Sequence, residues 1–255
     1  MRFDVITLFP ELFVPFLQVG ITRRAFESGL VEVHLHNPRD YAEGNYRRVD
    51  DRPFGGGPGM VMMAEPLRQA LGHIRAQRAD AAPLVLFSPI GQAMQHEGIA
   101  QWAQGAGAIL LCGRYEGVDQ RFVDKYVDLQ LSIGDFVLSG GEIPAMALLD
   151  AVARLQPGVL TDAQSHQLDS FNPDLGGLLD CPHYTRPEVW QGQGVPDVLL
   201  SGHHQNIALW RRQQNLALTA THRPDLLDKA RRQGGLTSAD ERFLDGLDPI
   251  PPKTL

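Results

Sequence analysis

The chain has 255 residues, 43% of them hydrophobic, and a formal net charge of −7, which is enough apolar material for one large core or for a main domain plus a smaller one. Its two cysteines, Cys112 and Cys181, lie far apart, which excludes a disulfide framework and suits a reducing, cytoplasmic compartment. The acidic balance argues against a nucleic-acid partner only on average, because from Gly176 onward nine Lys plus Arg meet nine Asp plus Glu and the whole excess falls on the first 175 residues.

The amino terminus, MRFDVITLFPELFVPF, is apolar, but Asp4 and Glu11 interrupt it and no small-residue cleavage site follows, so it reads as strand and helix and not as a signal peptide. No uninterrupted apolar run approaches the ~20 residues of a membrane span. Arg2–Phe9 is a first strand. Pro10 opens a helix with Leu12, Phe13, Phe16, Leu17 and Ile21 at helical spacing, and Gly29 closes it. Val31–Leu35 alternates as a second strand, with Glu32 and His34 on one face. Asn37–Met60 is polar and aperiodic, and a loop of that length in a compact domain implies a task. It mixes Arg39, Arg47, Arg48 and Arg52 with Tyr41 and Tyr46, a composition suited to a phosphate backbone and an unstacked base, and equally to a plain surface loop. Its Gly55–Gly59 run lacks the Lys-Ser/Thr of a Walker motif and the spacing of a dinucleotide fingerprint.

Next come a helix over Glu65–Arg78, a strand over Pro83–Phe87 ending in Ser88-Pro89-Ile90-Gly91, and a helix over Met94–Gln104. A buried strand, Ala108–Cys112, runs into Gly113-Arg114-Tyr115-Glu116-Gly117. A further strand, Leu129–Ile133, runs into Gly134-Asp135 and then Ser139-Gly140-Gly141-Glu142, ahead of a helix begun by Pro144. The alternation predicts an α/β fold with a mainly parallel sheet. Turns at the carboxyl ends of parallel strands are where such sheets take ligands, although any one of them could serve only to reverse the chain.

In that last helix Asp150 and Arg154 stand four residues apart, so Arg154 reads first as a surface ion pair worth ~0.3–0.5 kcal/mol. Residues 159–175 are polar and aperiodic, the composition of an interdomain linker, and contain Asp162 and Asp169, between which composition does not choose. From Gly176 the character changes. Cys181-Pro182-His183 offers two metal ligands with no further pair to complete a set, so no metal site is expected. His203–Thr221 and Pro224–Gln233 are helical and carry Arg211-Arg212 and Arg231-Arg232, which either dock on nucleic acid or face solvent. Ser238 with Glu241 forms a capping box for a final helix. The expected domains are residues 1–158, a linker over 159–175, and a small helical domain over 176–255.

Four segments, Asp51–Met60, Cys112–Gly117, Ser132–Glu142 and Asp180–Pro187, together resemble the bacterial tRNA (guanine-N1)-methyltransferases of the TrmD family, with the resemblance running to about Arg212 and weakening beyond. The resemblance implies a SPOUT-type methyltransferase domain with a carboxyl-terminal trefoil knot and an obligate homodimer with shared active sites. It also implies methylation of guanosine 37 beside the anticodon, with the tRNA anticodon stem-loop as partner. It assigns S-adenosyl-L-methionine to three loops: Phe87, Ser88 and Pro89; Gly113, Tyr115, Glu116 and Gly117; and Ile133, Gly134, Asp135, Phe136, Val137, Leu138, Gly140, Gly141 and Pro144. Asp169 matches the general base and Arg154 the group stabilising charge on guanine O6. Asp50, Arg52, Gly59, Glu116, Ser165 and His183 fall to the RNA. The resemblance leaves room for a magnesium ion, but no binding motif here demands one. Phe54, Phe87 and Phe136 stand where many relatives carry tyrosine, a change expected to keep packing and lose a hydroxyl. Two rivals compete: a knotted methyltransferase acting on another base or on ribose, and an RNA-binding regulator without catalysis. The missing Walker lysine disfavours a nucleotide hydrolase.

Overall fold

The computed structural model describes residues 1–161 and 166–247, which cluster into two units, Met1–Thr161 and Asp162–Leu255. The first is built on five parallel strands: β1 (Arg2–Ile6), β2 (Glu32–His36), β5 (Leu84–Ala93), β6 (Gly107–Leu111) and β7 (Leu129–Ser132), in the order β2-β1-β6-β5-β7. Side chains alternate across a strand, and both faces of this sheet are covered, which is why its central strands read as unbroken apolar runs. On β6, Ala108 and Leu110 enter one core with Phe3, Val5 and Val85, while Ile109 and Leu111 enter the other with Ile6, Leu84 and Leu86. The first core is closed by α1 (Phe13–Gln18), α2 (Arg23–Glu27), α4 (His96–Gln104) and α6 (Glu142–Ala153), and the second by α3 (Ala64–Gln77) and α5 (Gln120–Tyr126). The short pair β3 (Asp50–Asp51) and β4 (Val61–Met62) runs antiparallel and brackets the glycine run.

Several elements differ from the sequence expectation. The single helix expected from Pro10 to its close at Gly29 is broken: a 3-10 turn, Pro10–Leu12, precedes α1, and α2 begins anew at Arg23. Val19 is extended and Gly20 is left-handed at φ 76°, so apolar spacing continued past a backbone that had already left the helix. Helix α5, unassigned from the sequence, is short and buries Phe122 and Val123 in the core with Tyr126 packed beside them; Asp119 caps it, accepting from Arg121 N at 3.0 Å. Strand β5 does not end at Phe87. Both Phe87 and Gln92 pair with Leu131, so Ser88–Gly91 loops out and the strand resumes. Among the described residues, no helix is long and apolar enough to cross a membrane.

A buried charge cluster ties the base of the sheet. Asp4, fully buried, meets Arg78 at 2.6 Å, Arg2 at 2.8 Å and His36 at 2.8 Å. Burial opposes its ionisation, but hydrogen bonds from His36, Arg2 and Arg78 outweigh that and hold its carboxyl well below the usual range.

The second unit contains the hairpin β8 (Val189–Trp190) and β9 (Gln193–Gly194), then α7 (Asp197–Leu200), α8 (His204–His222), α9 (Pro224–Arg232) and α10 (Ser238–Asp245). Its core is small, with Leu178, Leu216, Leu227 and Ala230 at the centre, and polar clamps supplement it. Arg212 forks onto Asp240 at 3.1 and 2.9 Å and donates to Leu175 O. The capping box sits one residue earlier than expected, on Thr237 and Asp240. Glu241 instead receives Arg231 at 2.9 Å. One arginine of each expected RNA-docking pair is thus committed to the fold.

Candidate active site

The Ser88–Gly91 loop of β5 and the turns after β6 and β7 come from three neighbouring strands, and together they line a cavity of about 370 Å³. Of the residues assigned to the cofactor, Phe87, Ser88, Pro89, Gly113, Tyr115, Glu116, Gly117, Ile133, Gly134, Phe136, Val137, Leu138, Gly140, Gly141 and Pro144 all line it; Asp135 is exposed and does not. Arg114, Gln120, Gln130 and Ser139 also contribute, and were not singled out in the sequence although two of them stand inside the motifs.

Two close approaches shape this cavity. Gly141 N donates to Gly113 O at 3.0 Å, and a Cβ on Gly141 would meet Cys112 Cα at 2.7 Å, so only glycine lets α6 begin against the end of β6. Arg114 Nε lies 2.9 Å from the Glu142 carboxylate in ion-pair contact without an aligned hydrogen bond. The Glu142 side chain is only 1% exposed, and its other oxygen accepts from Thr7 Oγ1 at 2.8 Å. Arg114 also donates to Ser139 O and stacks over Phe9, 4.5 Å from the ring centre. This group joins the second and third turns. Pro144 is the third residue of α6, not its first, because Gly141 and Glu142 already turn the chain into the helix.

The glycine-rich loop meets the second turn directly. Glu116 N donates to Met60 O and Met62 N to Gly117 O, and Glu116 lies so close over Gly59 that a Cβ there would collide with its carboxylate. Tyr115 takes φ 61°, a left-handed conformation costly for a tyrosine and concentrated at functional sites. Burial, then the Asp50 carboxylate, push its phenol pKa up, and Arg39 lies 3.4 Å from the hydroxyl. Asp50, Gly59, Tyr115 and Glu116 therefore come together. Arg52 is exposed, and its backbone N–H is taken by Asp51.

Other expectations about this loop need correction. Tyr41 is not available to a base, since it hydrogen-bonds His36 and packs on His73 at 5.2 Å. Arg47 pairs with Asp40 and Arg48 with Asp51. Tyr46 is 89% exposed. Of the three phenylalanines, Phe87 alone is buried in the core; Phe136 lies over Gly134 and Phe54 is 99% exposed, so packing is kept at the first two and not at the third.

Arg154 caps α6 in the first unit and is half-buried. Asp169 belongs to the second, where its segment is folded locally: Asn172 donates to His166 O, Phe171 N to Leu178 O, and Asp180 N to Ser170 Oγ. His183 Nε2 lies 2.9 Å from the Asp180 carboxylate, so the Asp169 segment and His183 share one hydrogen-bonded cluster. Asp162 and Ser165 lie outside the described residues. Asp180, Cys181 and His183 bring ligand-type atoms within 4.8 Å of one another, a third donor that the sequence reading lacked. Asp180 already engages both neighbours, and burial pushes the Cys181 thiol up, away from a thiolate.

A sequence profile for the family described as tRNA (Guanine-1)-methyltransferase TrmD matches residues 1–229, further than the expected limit at Arg212. The protein named tRNA (guanine-N(1)-)-methyltransferase from Paracidovorax citrulli is 73% identical over 254 residues, covering 98% of this chain and all of its own. That of Albidiferax ferrireducens is 71% identical over 244 residues, covering 96% and 98%. That of Bordetella parapertussis is 57% identical over 251 residues, covering 97% and 98%.

Proposed function

On the premise that this chain belongs to the tRNA (guanine-1)-methyltransferase TrmD family, we propose that it methylates N1 of guanosine 37 in tRNA, with S-adenosyl-L-methionine as donor. The observation that carries this reading is the cavity formed by three glycine turns at the ends of adjacent parallel strands, with Glu116 placed over Gly59 at its edge.

The donor's chemistry fits these residues. Pro89, Ile133 and Leu138 offer apolar surface for an adenine, the turn amides and carbonyls offer hydrogen bonds, and Glu116 offers a carboxylate to a sulfonium cation. When bound, the donor supplies an electrophilic methyl group. Guanine N1 carries a proton at neutral pH, so its lone pair is not a nucleophile until a base removes that proton. Asp169 takes it. The negative charge that develops spreads to O6, where the Arg154 guanidinium stabilises it. Because Asp169 stands in a connecting segment, the base acts only when the RNA has drawn that segment over the correct guanine, which makes binding a test of identity. Asp50, Arg52, Gly59, Ser165 and His183 hold the RNA around it.

In this reading the fold is the knotted SPOUT fold, and the close passage of Gly141 against Cys112 and Gly113 supports a tightly threaded chain. The unit of function is a homodimer with shared sites, a reading supported by the exposed apolar run Phe9, Leu12, Val14, Val19 and Ile21. The test is to incubate the protein with unmodified tRNA bearing guanosine at position 37 and to map the methylated atom by mass spectrometry. Methylation at another atom would favour the other-base or ribose rival. No saturable heat on titration with the donor would favour the regulator.

A further inference from the structure

We infer that the second unit carries a separate binding cleft for one unpaired nucleotide of the substrate RNA, walled by Tyr184 and Trp210 and flanked by Arg186 and Arg211. The cleft is a cavity of about 420 Å³ between the Pro182–Glu188 segment, α7 and the amino-terminal half of α8, which is within the size range of small-ligand sites. It lies wholly within one unit and shares no lining residue with the glycine-turn cavity.

The lining matches what a nucleotide presents. Tyr184 and Trp210 have ring centroids 6.2 Å apart with planes at 59°, so they form an angled corner and not two parallel plates. A base stacks on one ring and meets the other edge-on. Ile207, Val195 and Leu199 supply apolar floor for the same base. Arg186 and Arg211, both exposed, bring two guanidinium groups to the rim, suited to a phosphate. Glu188 adds an acceptor for a base amino group. Within the Arg211-Arg212 pair the roles divide: Arg212 is committed to Asp240, whereas Arg211 faces this cleft.

The occupant is an unpaired nucleotide because bases in a duplex hide their faces in the stack, whereas loop bases can splay onto aromatic side chains. The inference rests on the RNA-methylating reading above and deepens it: the residues beside the donor's cavity select the guanine that reacts, and this cleft holds a neighbouring loop nucleotide that fixes register.

The test uses full-length Tyr184→Leu and Arg211→Gln proteins with an unmodified tRNA transcript. If the cleft holds a loop nucleotide, each variant raises the KM for tRNA by about tenfold, the scale of one lost base stack or phosphate contact, while kcat at saturation and donor affinity hold. Ultraviolet crosslinking of wild-type protein to a transcript with 4-thiouridine in the anticodon loop then maps to Tyr184 or Trp210, a readout that does not depend on variant folding. An unchanged KM in folded variants, or a crosslink confined to the first unit, overturns the inference and leaves the methylation reading intact. Trp210 fluorescence quenched as strongly by adenosine monophosphate as by a loop oligonucleotide also overturns it, assigning the cleft to free nucleotides. Failure of wild-type protein to methylate tRNA at all sinks the earlier reading instead, and the oligonucleotide titration still decides this one.

Discussion

At the scale of single residues, the site depends on a few side chains with no slack. Glu142 is buried with one cationic partner, Arg114, and one hydroxyl, Thr7. Glu142→Gln keeps the shape and removes the charge, leaving Arg114 against a neutral group. The cost is about 3 kcal/mol in a denaturant melt, toward the low end for a broken buried pair because Arg114 is part-exposed. Donor affinity by calorimetry falls with it, since the pair joins two turns of the cavity. Asp4 makes the corresponding prediction for pH. Its folded pKa is depressed, so its contribution to stability is complete above its unfolded value near 4 and is lost as pH falls toward the folded one. Asp4→Asn therefore destabilises at neutral pH by about 3 kcal/mol and flattens the loss of stability below about pH 4, measured as melting temperature against pH. At the proposed catalytic pair, Asp169→Asn abolishes methyl transfer and leaves donor affinity nearly unchanged. Arg154→Ala lowers kcat by two or three orders of magnitude if it stabilises charge on O6, the scale of a lost oxyanion contact. A surface pair alone would cost ~0.3–0.5 kcal/mol of stability and no turnover.

At the scale of elements, the sharpest prediction concerns the start of α6. By propensity, Gly→Ala near a helix start is neutral or favourable by up to about 1 kcal/mol. At Gly141 the added Cβ would lie 2.7 Å from Cys112 Cα, against the backbone just past β6, and that collision exceeds any propensity gain. Gly141→Ala is expected to lower donor affinity by tenfold or more while far-ultraviolet dichroism stays unchanged; an unchanged affinity would mean that the turns do not need this approach. Elements also show where sequence reasoning stops. The turn after β6 could be located because glycine-bounded polar residues followed an apolar run, a local signal. The looping of Ser88–Gly91 out of β5 could not, because it is defined by two residues, Phe87 and Gln92, sharing one partner on β7. The capping box moved by one residue because Arg231 competes for Glu241 from another helix. Tyr41 was lost to the RNA-binding reading because His73, distant in sequence, packs on its ring while nearby His36 takes its hydroxyl.

At the scale of the whole molecule, Arg154 and Asp169 belong to different units, so the proposed chemistry requires the two to cooperate, within a chain or between chains. The proposed homodimer with shared sites makes a distinct prediction. Asp169→Asn and Arg154→Ala proteins, each far below wild type alone, regain about a quarter of wild-type activity when unfolded and refolded together in equal amounts, because half the dimers are mixed and each carries one intact site. No recovery would place both residues in one chain. What the sequence alone determined was everything carried by neighbours in the chain: apolar runs that must be buried strands, glycine turns at their ends, the α/β alternation, and the four motifs that carry the family likeness. Only the tertiary structure decided which strands adjoin, and so that three separate turns share one cavity. It also decided which arginines are spent on carboxylates and that Tyr184 and Trp210 meet across a cleft. The reason is physical: local pattern sets how each segment hydrogen-bonds and which face it buries, whereas adjacency follows from packing all the faces at once.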